Sequence, residues 1–201
     1  VPRTPEEIGT VALACVEAGA AIIHGHIDDI RLSGLAAAER YAEGWKKVRA
    51  ARPDAILYPT VVLADDQTER FAHLAPLAKW GAAQMASLDP GTTNLAINGP
   101  DGLPVKDFVY VNSYAEIRYA FERFSELGLG ASMALYDPSY ARAVLAWHRA
   151  GKLPRGSFPK FYFAGEYDFM SGKKGGMNFG FDATEKALDA YVEMLDGTGL
   201  P

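Results

Sequence analysis

What most constrains this chain is its regular exchange of β-type and helix-type patterning. Short apolar runs at about residues 20–27, 55–62, 82–88, 129–136 and 159–167 alternate with segments whose apolar residues recur at a helical period. Thr4 can cap the first helix, Pro5 suits its first position, and Glu6 and Glu7 favour its positive end. Ile8, Val11, Ala12, Cys15 and Val16 supply its apolar period, and Gly19 stops it. Further helices are predicted over about 36–52, 65–79, 113–127, 138–150 and 182–195. Residues 89–94 read as a loop, 95–106 as an irregular insertion and 108–111 as a short extra strand. A strand roughly every 25 to 45 residues, each followed by a helix, argues for βα units and a parallel sheet in one α/β domain over 1–201.

Two architectures fit that alternation: an open doubly wound sheet and a (β/α)8 TIM barrel. The first lacks a glycine-rich phosphate turn after the first strand. The second gathers polar residues from several strand ends, namely His24, His26, Thr60, Ser87 and Glu166, at one mouth. An eight-stranded barrel needs a strand before residue 1 and two more after 201. Either the fold is not that barrel, or these residues are a portion of a longer protein; the expectation is a partial (β/α)8 barrel over 1–201.

The chemistry centres on Ala20-Ala-Ile-Ile-His24-Gly-His26. Side chains alternate along a strand, so His24 and His26 project from one face, and Gly25 puts no bulk on the other. Two imidazoles side by side suit a divalent metal. A His-x-His pair on a half-buried strand is often just two hydrogen-bonded histidines, and spacing leaves both readings open.

Composition removes other classes. With 49% hydrophobic and 22% charged residues, the 201-residue chain reads as soluble and globular. A net charge of −5 and scattered basic residues give no nucleic-acid or anionic-membrane signature. No apolar run is long enough to span a bilayer, and no signal peptide opens the chain. The single cysteine, Cys15, fits packing in a reduced cytoplasmic setting.

Thr60 and Ser87 can donate hydroxyl hydrogen bonds to a substrate carboxylate, or satisfy strand-end backbone instead. Thr92, Thr93 and Asn94, after Gly91, can cradle an anion through backbone N–H groups, or form a simple loop. His73 and His148 read as packing or surface residues. Lys173 and Lys174 can meet phosphates or simply be solvated. Asp28 and Asp29 can orient the histidines or cap the loop.

In their order, several segments resemble the β-keto acid cleavage enzymes, the family of the 3-keto-5-aminohexanoate cleavage enzyme of lysine fermentation. They are Thr4-Pro-Glu-Glu-Ile8, Glu17-Ala-Gly-Ala-Ala-Ile-Ile-His-Gly-His26, Met85-Ala-Ser-Leu-Asp-Pro-Gly-Thr-Thr-Asn94, Leu135-Tyr-Asp137, Gly175-Gly-Met177 and Asp182-Ala-Thr-Glu185. The resemblance implies a (β/α)8 barrel, a homotetramer, and zinc held by His24 and His26 with a glutamate from a late strand. It implies cleavage of a β-keto acid with acetyl-CoA, giving acetoacetate and a new acyl-CoA. It places Thr60 and Ser87 against the keto acid, with Thr92 and Asn94 as further substrate-side candidates.

The chain also departs from the family. Asp28-Asp29 stands where the family often has Arg-Asp, and Ser132-Met-Ala-Leu-Tyr-Asp137 lacks a glutamate common there. The loss implies a substrate without an amine, unless Asp28 supplies the charge. Glu166 is an internal candidate for the further metal ligand, and a residue beyond 201 is the other. Two alternative functions share the His pair: a metal-dependent barrel lyase or hydrolase that does not use CoA, and a non-catalytic barrel protein.

Overall fold

The structure is a computed structural model that describes residues 2–29, 31–167, 174–176 and 178–200, with the side chains of 106 and 107 outside the description. Two residues singled out from the sequence, Lys173 and Met177, lie outside the described residues. The chain divides into two compact units: residues 1–88, 119–132 and 154–157, and residues 89–118, 133–153 and 158–201.

Unit 1 opens with α1 (Pro5–Glu17). Thr4 accepts from the Glu7 backbone N–H at 3.2 Å, and the Glu7 carboxylate accepts from the Thr4 N–H at 3.1 Å, a reciprocal cap. Gly9, Ala12 and Val16 are buried on it, whereas Val11 and Cys15 are exposed. The apolar period therefore overstates the covered face of this helix. β1 (Ile22–Gly25) and β2 (Ile56–Pro59) pair in parallel, with Ile22 opposite Ile56 and His24 opposite Tyr58. Between them runs α2 (Gly34–Ala51), which buries Ala37, Ala38, Tyr41, Trp45 and Val48 against the strands and α1. This is one βαβ unit, as the alternation predicts.

The single helix expected over 65–79 is broken into α3 (Gln67–Phe71) and α4 (Leu74–Lys79). Pro76 is the cause. It has no N–H to donate to the carbonyl of Ala72, and its ring crowds that carbonyl, so the helix restarts at the break.

β3 (Met85–Leu88) follows. Its approach to β2 is stitched by Gln84, whose backbone N–H donates to the Leu57 carbonyl at 3.0 Å. The Gln84 side-chain Oε1 accepts from the Leu57 N–H at 2.9 Å, and its Nε2 donates to the Gly81 carbonyl at 3.1 Å. The carbonyl of Gln84 accepts from Gly130 N–H at 3.1 Å, where a later strand begins.

In unit 2 residues 89–92 are loop, as expected, but the irregular insertion expected over 95–106 is an antiparallel hairpin, whose second strand takes in 108–110 of the short extra strand expected over 108–111. The hairpin consists of β4 (Thr93–Asn98) and β5 (Pro104–Tyr110), in register from Thr93 opposite Tyr110 to Ile97 opposite Lys106. Gly99-Pro-Asp-Gly102 forms its turn. Gly102 takes a φ of 80°, and its N–H donates to the Gly99 carbonyl at 3.0 Å. α5 (Tyr114–Leu127) carries on into unit 1. β6 (Gly130–Leu135) has its first three residues in unit 1 and its last three in unit 2, and the order of strands along this sheet is β3-β6-β7, with β7 spanning Phe158–Phe161. α6 (Pro138–Arg149) is capped by Asp137 and α7 (Glu185–Leu195) by Thr184, each through its side-chain oxygen. Tyr140 and Tyr191 are wholly buried in this unit. Among the described residues, no helix is long and apolar enough to cross a membrane.

Candidate functional site

β1 brings the two histidines together. The Nε2 atoms of His24 and His26 lie 3.2 Å apart, with the rings edge-on at 4.9 Å. Two facing ring nitrogens at that distance have two physical explanations. One ring can donate an N–H to the other, which needs opposite tautomers. Alternatively, both lone pairs can point at one ion. Nitrogens about 2.0–2.1 Å from a tetrahedral zinc stand roughly 3.3 Å from each other, so the observed spacing fits that donor set. Loss of water around His26 lowers its pKa and favours the neutral ring, the form that ligates metal.

The sequence reading did not single out Tyr58. The parallel register puts it beside His24 on the same face, and the two rings stack at 4.6 Å, inclined by 25°. The opposite face explains Gly25. A Cβ there would lie 2.9 Å from Trp45 Nε1 and 3.1 Å from its Cζ2, and Trp45 is fully buried. Gly25→Ala is therefore expected to cost about 1–3 kcal/mol and to displace the two imidazoles. Urea unfolding measures the first and imidazole NMR resonances the second; an alanine variant as stable as the wild type refutes the steric argument.

Thr60 follows β2 directly. Its N–H donates to the Gly25 carbonyl at 3.2 Å, which sets it beside the His-Gly-His turn. Its carbonyl meets His73 Nε2 at 3.1 Å. His73 sits at the Pro76-induced helix break, 1% exposed, and stacks on Tyr41. Burial pushes its pKa down to about 4, so this ring is neutral packing, as its helical setting suggested. Ser87 is half-buried on β3. His24, His26, Thr60 and Ser87 thus all belong to unit 1, on or directly after three successive strands.

Thr92 and Asn94 belong to unit 2. The Thr92 hydroxyl donates to the Asn112 carbonyl at 3.2 Å and accepts from the Asn112 N–H at 3.1 Å, so it ties the start of the hairpin to its end. Asn94 is exposed on β4. Sequence reasoning also missed Asp89, which follows β3 and accepts from the Tyr110 hydroxyl at 2.6 Å. Burial raises its carboxyl to about 6, opposed by that hydrogen bond and by the charge of Lys160. Glu166 pairs with Lys174 at 3.4 Å in unit 2. Asp28 is fully engaged: Arg40 on α2 donates to both its carboxylate oxygens, at 2.8 and 2.6 Å. Its charge is therefore already countered by a cation of the protein itself. Among the described residues, no group of three or more His, Cys, Asp or Glu side chains is placed to hold a metal ion.

Comparison with known proteins adds the family context. The family described as beta-keto acid cleavage enzyme matches residues 1–200. The 3-dehydrocarnitine:acetyl-CoA trimethylamine transferase of Rhizobium meliloti (strain 1021) is 25% identical over 162 residues, which cover 70% of this chain and 50% of that one. A 3-keto-5-aminohexanoate cleavage enzyme of Fusobacterium nucleatum is 26% identical over 151 residues, 75% of this chain and 51% of the relative. Its namesake from Acetoanaerobium sticklandii is 34% identical over 98 residues, covering 47% and 33%. The chain thus spans about half the length of the first two relatives. Among solved structures, ObcA with oxaloacetate shares the fold at a TM-score of 0.63 and 20% identity, over 98% of this chain and 47% of ObcA. ObcA with a C4-CoA adduct and oxalate gives a TM-score of 0.62 over the same shares.

Proposed function

Since the chain belongs to the β-keto acid cleavage enzyme family, we propose that the protein is a zinc-dependent (β/α)8 barrel enzyme that cleaves a β-keto acid with acetyl-CoA, giving acetoacetate and a new acyl-CoA. The observation that carries the reading is the approach of His24 Nε2 to His26 Nε2 at 3.2 Å, at the C-terminal end of a parallel strand. The relatives named for acetyl-CoA-dependent transfer and for keto acid cleavage support the reaction class. The ObcA complexes with oxaloacetate and a C4-CoA adduct support a small keto acid and a CoA thioester as ligands.

In this reading His24 and His26 hold zinc, which when bound supplies Lewis-acid stabilisation of negative charge on the keto acid's oxygens. Tyr58 steadies the plane of His24. Thr60 and Ser87 present hydroxyls to the substrate carboxylate, which fixes the keto acid for cleavage between its α and β carbons. Because Asp28 is neutralised by Arg40, the reading favours a keto acid without a cationic group. Assembly as a homotetramer in the cytoplasm goes with the family; exposed Val105, Phe108 and Val109 on β5 are apolar surface that an assembly can cover.

The test is to incubate the purified protein with acetyl-CoA and a panel of small β-keto acids, following acetoacetate and new thioesters by mass spectrometry. Acetoacetate that depends on both acetyl-CoA and zinc is the expected result. Turnover without CoA would instead favour a metal-dependent lyase or hydrolase, and metal binding without turnover a non-catalytic role.

A further inference from the structure

The β1–β2 ladder closes with the bond from Thr60 N–H to the Gly25 carbonyl. His24 lies inside that ladder with its ring stacked on Tyr58, while His26 lies just past its last bond. Among the described residues, Ile27 and Asp28 anchor the chain beyond that point. Ile27 turns into the core at 7% exposure, and Asp28 is gripped by the Arg40 fork, at 2.8 Å from Nε and 2.6 Å from Nη2. Arg40 projects from α2, the helix whose Trp45 packs under Gly25 and whose Tyr41 stacks on His73. Asp29, by contrast, pairs with Arg31 two residues on, an exposed local pair.

We infer that the Asp28–Arg40 pair is a positioning clamp that sets the approach of His26 Nε2 to His24 Nε2, an inference that takes the two imidazoles as metal donors. Two parallel N–H···O bonds fix direction as well as distance. A partly exposed pair adds little to global stability, so its effect falls on local geometry. Arginine is required for the fork, because a lysine ammonium supplies the charge without it.

The experiment compares Arg40→Gln, Arg40→Lys and the exchange Asp28→Arg with Arg40→Asp in the otherwise intact protein. In the metal-free state, Arg40→Gln is expected to move the imidazole ¹⁵N resonances of His24 and His26 and to leave those of His73 in place. Zinc affinity, measured by competition with a chromophoric chelator, is expected to fall about 10–100-fold while the melting temperature barely changes. Arg40→Lys falls between wild type and Arg40→Gln, and the exchange variant recovers much of the affinity. Unchanged His24 and His26 resonances overturn the clamp. So does an affinity loss that merely tracks lost stability. If the wild-type protein binds no zinc, the metal reading of the pair falls, and the metal-free resonances by themselves decide the clamp.

Discussion

Replacing His24 and His26 together by alanine is expected to remove bound zinc, from about one ion per chain to none, and acetyl-CoA-dependent turnover with it. Loss of a hydrogen-bonding partner behind a metal ligand already costs about 10–100-fold in affinity, and loss of two donors costs more. Neither side chain belongs to the buried core, so the variant keeps its fold and its melting temperature. Plasma mass spectrometry of wild type and variant, purified side by side, gives the answer. Equal zinc in the two would show that the 3.2 Å approach is a histidine–histidine hydrogen bond and nothing more.

The second large effect concerns Asp89. Burial holds its carboxyl at about 6, against an ordinary value of 3.8. Between those values the folded protein keeps a proton that the unfolded chain has released. The stability from this group is therefore full below about pH 3.8 and lost as pH rises through about 6. The gap corresponds to about 3 kcal/mol. Asp89→Asn removes the titration yet keeps an oxygen to accept from the Tyr110 hydroxyl. The variant is expected to be about 1–3 kcal/mol more stable than wild type at pH 8, with the gain vanishing at pH 4. Urea unfolding at the two pH values measures it, and a variant no more stable at pH 8 contradicts the burial argument. His73 works in the opposite direction. Its pKa, held down to about 4 from 6.5, gives stability that is present above pH 6.5 and lost as pH falls toward 4. Across the acid range the two groups offset each other, so the wild-type profile understates both.

Much of this was legible in the sequence. The cap at Thr4, the exchange of strands and helices, and the shared face of His24 and His26 all follow from local chemistry. Two misreadings had signals in plain sight. Pro76 forbids one helix over 65–79, and Gly99-Pro-Asp-Gly102 is a turn between two β-prone runs, so the hairpin was there to be found. Other features are not local. Tyr58 meets His24 only through the register of two strands. Arg40 meets Asp28 through the packing of α2, and Tyr110 meets Asp89 through the return of the hairpin. Val11 and Cys15 follow the apolar period of α1 yet stay exposed, because period shows which residues can share a face and not what covers it.

Gln84 has a consequence for how the molecule breathes. The amide of Leu57, inside β2, is shielded by a side chain and not by a neighbouring strand. A side-chain amide swings away by rotating about its own bonds, with no need to unzip a row of backbone pairs. Leu57 should therefore trade its hydrogen for deuterium well ahead of the β1-facing amides of the same strand, and Gln84→Leu should speed it further. The clock at that one position reads the swing of a glutamine, on a strand that is otherwise locked.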